Sequence, residues 1–273
     1  MKNQNISNQM RDNGYVVINH SNKLSRKNIL SQANNLANYF LKRNTNKKNK
    51  KIISKIISSN ELNQESLYKK FKLLKSKNPK DSSRLYNILG KDIYLSNHHN
   101  DKNIINALNI LFEKKNIFNI AQQIRIDLSP QYHHALAWHQ DHFDLPSMNK
   151  SGLFYNFSYK DSYTVWSPFT KADKKIGTMQ VLEGSHKFGR LNHSYKKNTV
   201  RTKSAYLELK IPEKILNKCK KKIIEIDSSQ SIIFSMNLIH GTIVGNSEGV
   251  RLTGWCRFTS TSSKSFNKMV NYA

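Results

Sequence analysis

The chain has 273 residues, enough for one large domain or for one domain with helical additions. It is 37% hydrophobic with 12 Tyr, 12 Phe and 3 Trp, which excludes a wholly disordered chain. Its net charge of +27, from 45 basic and 18 acidic residues, raises a nucleic-acid binder as one reading. Against it, the excess is almost all Lys and travels with Asn and Ile, as in Lys47-Lys48-Asn49-Lys50-Lys51-Ile52-Ile53. These residue types share AT-rich codons, so base composition accounts for a solvated Lys surface. The Lys-rich stretch 42–80 also lacks the interleaved aromatics of a nucleic-acid face. Nucleic acid is therefore not expected as a partner, whereas a positive field favours an anionic small-molecule substrate.

Two cysteines, Cys219 and Cys256, are too few for a disulfide scaffold and are expected as reduced thiols. Met1 to Arg11 is polar, so no secretory signal is expected. No run approaches the roughly 18 apolar residues that span a bilayer. A soluble, cytoplasmic protein with no membrane partner is the expectation. Oligomeric state is not legible.

In chain order, Gly14-Tyr15-Val16-Val17-Ile18 predicts a short strand after a turn. Ser25 stands where an N-cap would, before Ile29, Leu30, Ala33, Leu36, Ala37 and Phe40 at helical spacing. A second helical region holds Ile52, Ile53, Ile56, Ile57, Leu62, Leu67, Phe71 and Leu74, and Asn78-Pro79 ends it. A third helical stretch is expected over about 81–115. The texture then changes. Gln123, Arg125 and Asp127 alternate with Ile124, Ile126 and Leu128 as on a half-buried strand. Short strands follow at Ala135–His139, Tyr163–Ser167, Thr178–Leu182, Ile232–Met236 and Val250–Phe258, with an excursion at about 186–220. Together these predict one domain over 1–273: a mainly helical portion to 119 and a β core over 120–262, a sandwich or jelly roll.

His139 and Asp141 lie two apart in Trp138-His139-Gln140-Asp141-His142, so on a strand both face one way. With His240 from a distant strand they make two imidazoles and one carboxylate, the facial set of non-haem iron(II) oxygenases. Arg251 lies eleven residues after His240. Gly245-Asn246-Ser247-Glu248-Gly249 between them predicts a hairpin that returns Arg251 beside the His240 strand. Its guanidinium could then grip a carboxylate two-point, with the Thr253 hydroxyl on the same face. Leu252, Gly254, Cys256 and Phe258 would point into packing.

These residues resemble the phytanoyl-CoA dioxygenase-like family of iron(II) and 2-oxoglutarate enzymes, which includes the ectoine hydroxylases. The resemblance rests on Gly14-Tyr15-Val16-Val17-Ile18, on His139-Gln140-Asp141 and on Gly177-Thr-Met-Gln-Val-Leu-Glu-Gly184-Ser185-His186-Lys187. It also rests on His240, Asn246, Ser247 and Arg251. It implies a double-stranded β-helix, the cupin-like jelly roll, flanked by N-terminal helices. It puts His139, Asp141 and His240 on the metal positions and Arg251 on the distal carboxylate of 2-oxoglutarate. Trp166 and Gln123 fall beside the cosubstrate. Arg125, Asp127 and Gln140 fall on the substrate side. The implied cofactors are Fe(II), 2-oxoglutarate and O2, and the implied reaction is C–H hydroxylation of a small metabolite with release of succinate and CO2. Related halogenases carry a small residue in place of the carboxylate, so Asp141 favours hydroxylation.

The sequence departs from the family pattern in two turns: Glu183 replaces a Pro, and Ser229-Gln230 replaces a Gly-Asp. The aromatic segment 142–162 reads as a lid or a packed loop. His133 and His134 precede the metal segment and are candidates to reach a substrate. His186 reads as structural. The rival within the fold is a cupin-type metal-binding protein or isomerase that does not use 2-oxoglutarate. Arg251 discriminates against it, because such a protein needs no dicarboxylate anchor.

Overall fold

The computed structural model describes residues 2–21, 24–43, 50–58, 61–114, 116–130, 136–141, 162–197 and 205–260. The first part is helical, interrupted by one strand: α1 (Lys2–Asn13), β1 (Tyr15–Asn19), α2 (Leu24–Arg43), α3 (Lys50–Ile57), α4 (Gln64–Lys77), α5 (Pro79–Leu89), α6 (Ile93–His99) and α7 (Lys102–Leu111). The single stretch expected over 81–115 is three helices. Polar caps divide it: the side chains of Asn78, Asp92 and Asp101 accept from the backbone N–H groups of Asp81, Tyr94 and Asn103. Asn78 closes α4 and opens α5, with Pro79 in the first turn, where its missing N–H costs nothing. Ser25 is not a cap. It lies inside α2, its hydroxyl 3.0 Å from His98 Nδ1.

The second part is β2 (Ile117–Ser129), β3 (Tyr163–Pro168), β4 (Gly177–Glu183), β5 (Ser194–Lys197), β6 (Ala205–Glu208), α8 (Glu213–Leu216), β7 (Lys220–Ile224), β8 (Gln230–Ser235), β9 (His240–Val244) and β10 (Gly249–Ser260). A five-stranded sheet has the order β1-β8-β3-β10-β2, and a three-stranded sheet has the order β7-β4-β9. All pairings are antiparallel. A separate β5-β6 ladder forms within the excursion. The expected strand over 135–139 reduces, in its described part, to a bridge between His139 and His240.

The two sheets form a jelly roll. Trp166, Ile232 and Phe234 of the large sheet pack against Met179, Val181 and Ile224 of the small one. The outer face of the large sheet buries against helices. Ile124, Leu128, Val250 and Leu252 meet α2, α4, α5 and α6, while Val165, Ile233, Cys256 and Phe258 meet α1 and α7. Alternation along β10 therefore turns Arg251, Thr253, Trp255 and Arg257 the other way, between the sheets.

The expected hairpin between His240 and Arg251 does not form. β9 pairs with β4, whereas β10 pairs with β2 and β3, so residues 245–248 carry the chain from one sheet to the other. Both edges of β9 are already occupied. β4 takes one, and the other meets the metal segment through His139 N–H to His240 O, His240 N–H to His139 O and Thr242 N–H to Leu136 O. The crossing needs Gly245, because a Cβ there would collide with the carbonyl of Lys175.

The two glycine-bearing motifs dock on each other. Gly14 has φ +85°, and a Cβ on it would strike the His186 ring. Gly184 donates its N–H to Asn13 O at 2.9 Å. Glu183, the departure from the family pattern, accepts from the Tyr15 hydroxyl at 2.7 Å. Ser185 accepts from Ile239 N–H at 2.9 Å and so holds the residue before His240.

Candidate metal centre and its cavity

His139, Asp141 and His240 come together between the sheets, and all three are buried. The Asp141 Oδ1 lies 3.9 Å from His139 Nε2 and 3.6 Å from His240 Nε2. The three donor atoms all fall within 4.8 Å of one another, so this group could hold a metal ion. Each ring is oriented from behind. His139 Nδ1 donates to Ala137 O at 2.8 Å, and His240 Nδ1 donates to Leu238 O at 3.0 Å. A carbonyl only accepts, so each Nδ1 carries the proton and each Nε2 offers a lone pair to the shared point. Burial, and then the His240 charge, hold His139 down to about 3, and burial lowers His240 as well. Both rings are therefore neutral and ready to ligate.

Burial would raise the Asp141 carboxyl, but Arg257, His240, His139 and the Thr164 hydroxyl outweigh it and hold it well below the usual carboxylate range. Thr164 donates to Oδ2 at 2.5 Å, and Arg257 Nη2 donates to Oδ1 at 3.1 Å. Neither Thr164 nor Arg257 was picked out from the sequence. The signal for Arg257 was present, since it stands six residues after Arg251 on the same strand face. Thr164 faces it in the β3–β10 register.

The three residues open into a cavity of about 390 Å³, also lined by Gln123, Arg125, Trp166, Arg251, Trp255 and Arg257. Tyr86 of α5 lies on its wall, with a hydroxyl that burial pushes up to about 12. Arg251 is buried and donates from Nη2 to Asp127 Oδ2 at 2.7 Å, its direct cross-strand partner. Arg125 reaches the other oxygen of the same carboxylate at 3.3 Å. Burial would raise Asp127, but Arg125 and Arg251 outweigh it. Asp127 is thus a brace between two arginines. The Thr253 hydroxyl is fully buried beside them, without a hydrogen-bond partner among the described residues.

A profile of the phytanoyl-CoA dioxygenase family matches residues 10–252. The chain belongs to that family. No curated protein sequence matches it significantly. Among solved structures, 162 chains match. The first is the non-heme monooxygenase ThoJ, at 13% identity and a TM-score of 0.60, covering 95% of this chain and 79% of that one. The second is EctD from S. alaskensis with bound Fe, at 12% and 0.56, covering 96% and 78%. The third is the epimerase SnoN in complex with Fe3+, alpha ketoglutarate and nogalamycin RO, at 12% and 0.55, covering 96% and 85%. At these identities the likeness establishes the fold.

Other residues of this family member fall outside the cavity. Gln140 does not face it: its amide donates to Gly189 O at 2.7 Å and Asn237 O at 2.6 Å, and its carbonyl accepts from Leu191 N–H at 2.9 Å. Alternation between His139 and Asp141 turns it outward, where it ties the metal segment to the excursion. This corrects the expectation of a substrate contact. His193 belongs to the same tie, with Nε2 accepting from Gln140 N–H at 3.0 Å. The candidates His133 and His134, and the aromatic segment up to residue 161, lie outside the described residues. Among the described residues, no helix is long and apolar enough to cross a membrane.

Proposed function

We propose that this protein is an Fe(II)/2-oxoglutarate-dependent dioxygenase that hydroxylates a C–H bond of a small metabolite, releasing succinate and CO2. The observation that carries the reading is two imidazole Nε2 atoms and one carboxylate oxygen meeting at a point, in a cavity whose wall holds a buried arginine. Two imidazoles and a carboxylate suit iron(II) and leave coordination positions for cosubstrate and oxygen. The buried Thr253 hydroxyl beside Arg251 is the donor a carboxylate oxygen needs, so the residues present also fit a dicarboxylate.

When bound, iron(II) with 2-oxoglutarate and dioxygen supplies the oxidising power that a C–H bond requires. The rest is done by the chain. His139, Asp141 and His240 hold the ion, and Ala137 and Leu238 keep the two rings turned toward it. Arg251, steadied by Asp127, anchors the far carboxylate of the cosubstrate. Trp166, Met179 and Phe234 give the cavity an apolar wall that limits water. The structural neighbours include an epimerase and a carbocyclase. Hydroxylation is the proposed outcome here because it needs no group beyond those on the cavity wall.

Anaerobic addition of Fe(II) and 2-oxoglutarate should give a weak visible absorption band, and air with ascorbate should then yield succinate. Asp141→Ala should abolish both; retained succinate release would overturn the assignment. Arg251→Ala should raise the 2-oxoglutarate requirement by about thirtyfold or more, as expected for truncating a buried charge partner. An unchanged titration curve would remove Arg251 from the cosubstrate site.

A further inference from the structure

One oxygen at the metal centre has two tasks. Asp141 Oδ1 faces both histidine rings, 3.9 Å from His139 Nε2 and 3.6 Å from His240 Nε2, and it also accepts from Arg257 Nη2 at 3.1 Å. Thr164 donates to the other oxygen, Oδ2. Arg257 and Thr164 are direct partners across the β3–β10 ladder, so neighbouring strands of the large sheet hold the two oxygens separately. Oδ1 is therefore the ligand atom on offer, and it already carries a hydrogen bond from a guanidinium.

Arg257 is fixed in this role. Its guanidinium lies over the Trp255 ring at 4.5 Å, and its side chain is 11% exposed, against 8% for Asp141. The ring holds the planar group while leaving its edge to donate. A charge-assisted hydrogen bond away from bulk water draws electron density from the accepting oxygen. An oxygen so engaged is a weaker donor to a metal. The loss is greater for a trivalent ion than for a divalent one, because the attraction scales with the ion's charge. Hydrogen bonds onto ligand atoms are one of the levers by which a protein sets the potential of an iron centre.

We propose that Arg257 is a positioning residue that acts through Asp141 Oδ1 to favour Fe(II) over Fe(III), keeping the idle enzyme in the oxidation state from which its reaction starts. The effect needs only the bond to Oδ1. The proposal rests on the metal centre and the dioxygenase reading above, and its test separates them. Iron-loaded protein is titrated with redox mediators without 2-oxoglutarate, ferric iron is read by electron paramagnetic resonance, and Mn(II) affinity is measured by calorimetry. Arg257→Met keeps much of the side-chain length and removes the donor. It should shift the Fe(III)/Fe(II) binding ratio toward Fe(III) by at least about tenfold, a fall in potential of about 59 mV for one electron. Arg257→Lys can still donate to Oδ1 and should stay within about threefold of wild type. An unchanged potential in Arg257→Met, even with weaker Mn(II) binding, would make Arg257 a structural clamp and overturn the proposal. So would a potential in Arg257→Lys as low as in Arg257→Met, or loss of iron from both variants. If Arg257→Met alone loses iron, Arg257→Gln decides: a shift of at least about threefold is expected, and no shift refutes the role. A wild type that binds no iron sinks the metal centre and the proposal together. Iron binding without a visible band on adding 2-oxoglutarate counts against the dioxygenase reading alone, because the potential is read without cosubstrate.

Discussion

Two clusters of buried or half-buried histidines lie on opposite faces of the large sheet, and their difference shows what makes imidazoles a site. His139 and His240 have ring centroids 4.2 Å apart, and so do His20 and His98 behind the sheet. Burial holds members of both clusters neutral, with His139 and His99 each lowered to about 3. The rings between the sheets are tied through Nδ1 to backbone carbonyls and aim Nε2 at a carboxylate. Behind the large sheet, His20 and His98 each meet one hydroxyl, and His20 Nδ1 and His98 Nε2 have no hydrogen-bond partner among the described residues. His20 Nε2 meets Ser231 Oγ at 2.6 Å, His98 Nδ1 meets Ser25 Oγ at 3.0 Å, and His98 stacks edgewise on Phe169. Proximity and neutrality are common to both clusters. Convergence of lone pairs on one point with a carboxylate is found in one.

The largest effect should come from exchanging the clusters in a metal-binding assay. His240→Gln should weaken Mn(II) or Fe(II) binding by more than about a hundredfold, exceeding what loss of an outer hydrogen-bond partner costs. His98→Leu should leave metal affinity within about threefold, in keeping with independent sites. Equal losses in calorimetric titrations of the two variants would erase the distinction. A smaller effect is expected from the second layer. Thr164→Val removes the donor to Asp141 Oδ2 and should cost about tenfold to a hundredfold in metal affinity. An unchanged affinity would make Thr164 a packing residue.

A further effect is one of pH and belongs to the rear cluster. The His99 pKa is depressed in the fold, to about 3, from an ordinary value near 6.5. The unfolded chain therefore binds the extra proton first as pH falls. Stability is present above about 6.5 and is lost on acidification toward about 3. Between about pH 7 and pH 5 the loss from His99 alone is about 2 kcal/mol. His98 is lowered the same way, by burial and by the charges of His99, His20 and Arg26. Denaturant midpoints of the wild type and His99→Leu, compared at both pH values with metal saturating, would test this. Equal slopes in the two proteins would show that His99 does not titrate with unfolding.

Much of the metal centre was legible because it obeys local rules. A ligand pair two apart must share a strand face, and alternation along 249–260 sorts arginines from apolar residues without any knowledge of the fold. What misled was turn chemistry. Gly245 to Gly249 reads as a hairpin, yet a turn only reverses a chain where a free strand edge awaits it, and both edges of β9 are taken. Gln140 was misassigned for a related reason: its neighbours His139 and Asp141 face the cavity, and alternation should have sent it out. Arg257 shares the inward strand face with Arg251, but its partner Asp141 lies 116 positions away, which no local pattern encodes.

The sequence alone determined which residue types could bind a metal and a dicarboxylate, and which side of each long strand is apolar. Those properties follow from side-chain chemistry and a backbone period of two, both local to the chain. Only the tertiary structure decided that β9 and β10 belong to different sheets, that Asp127 is shared by two arginines and that Arg257 shares the acid at the metal centre. It also separated the histidines that converge from those that merely pack. Such pairings join residues far apart in the chain, 124 positions for Asp127 and Arg251, and no local pattern encodes which distant partner will fill a given edge.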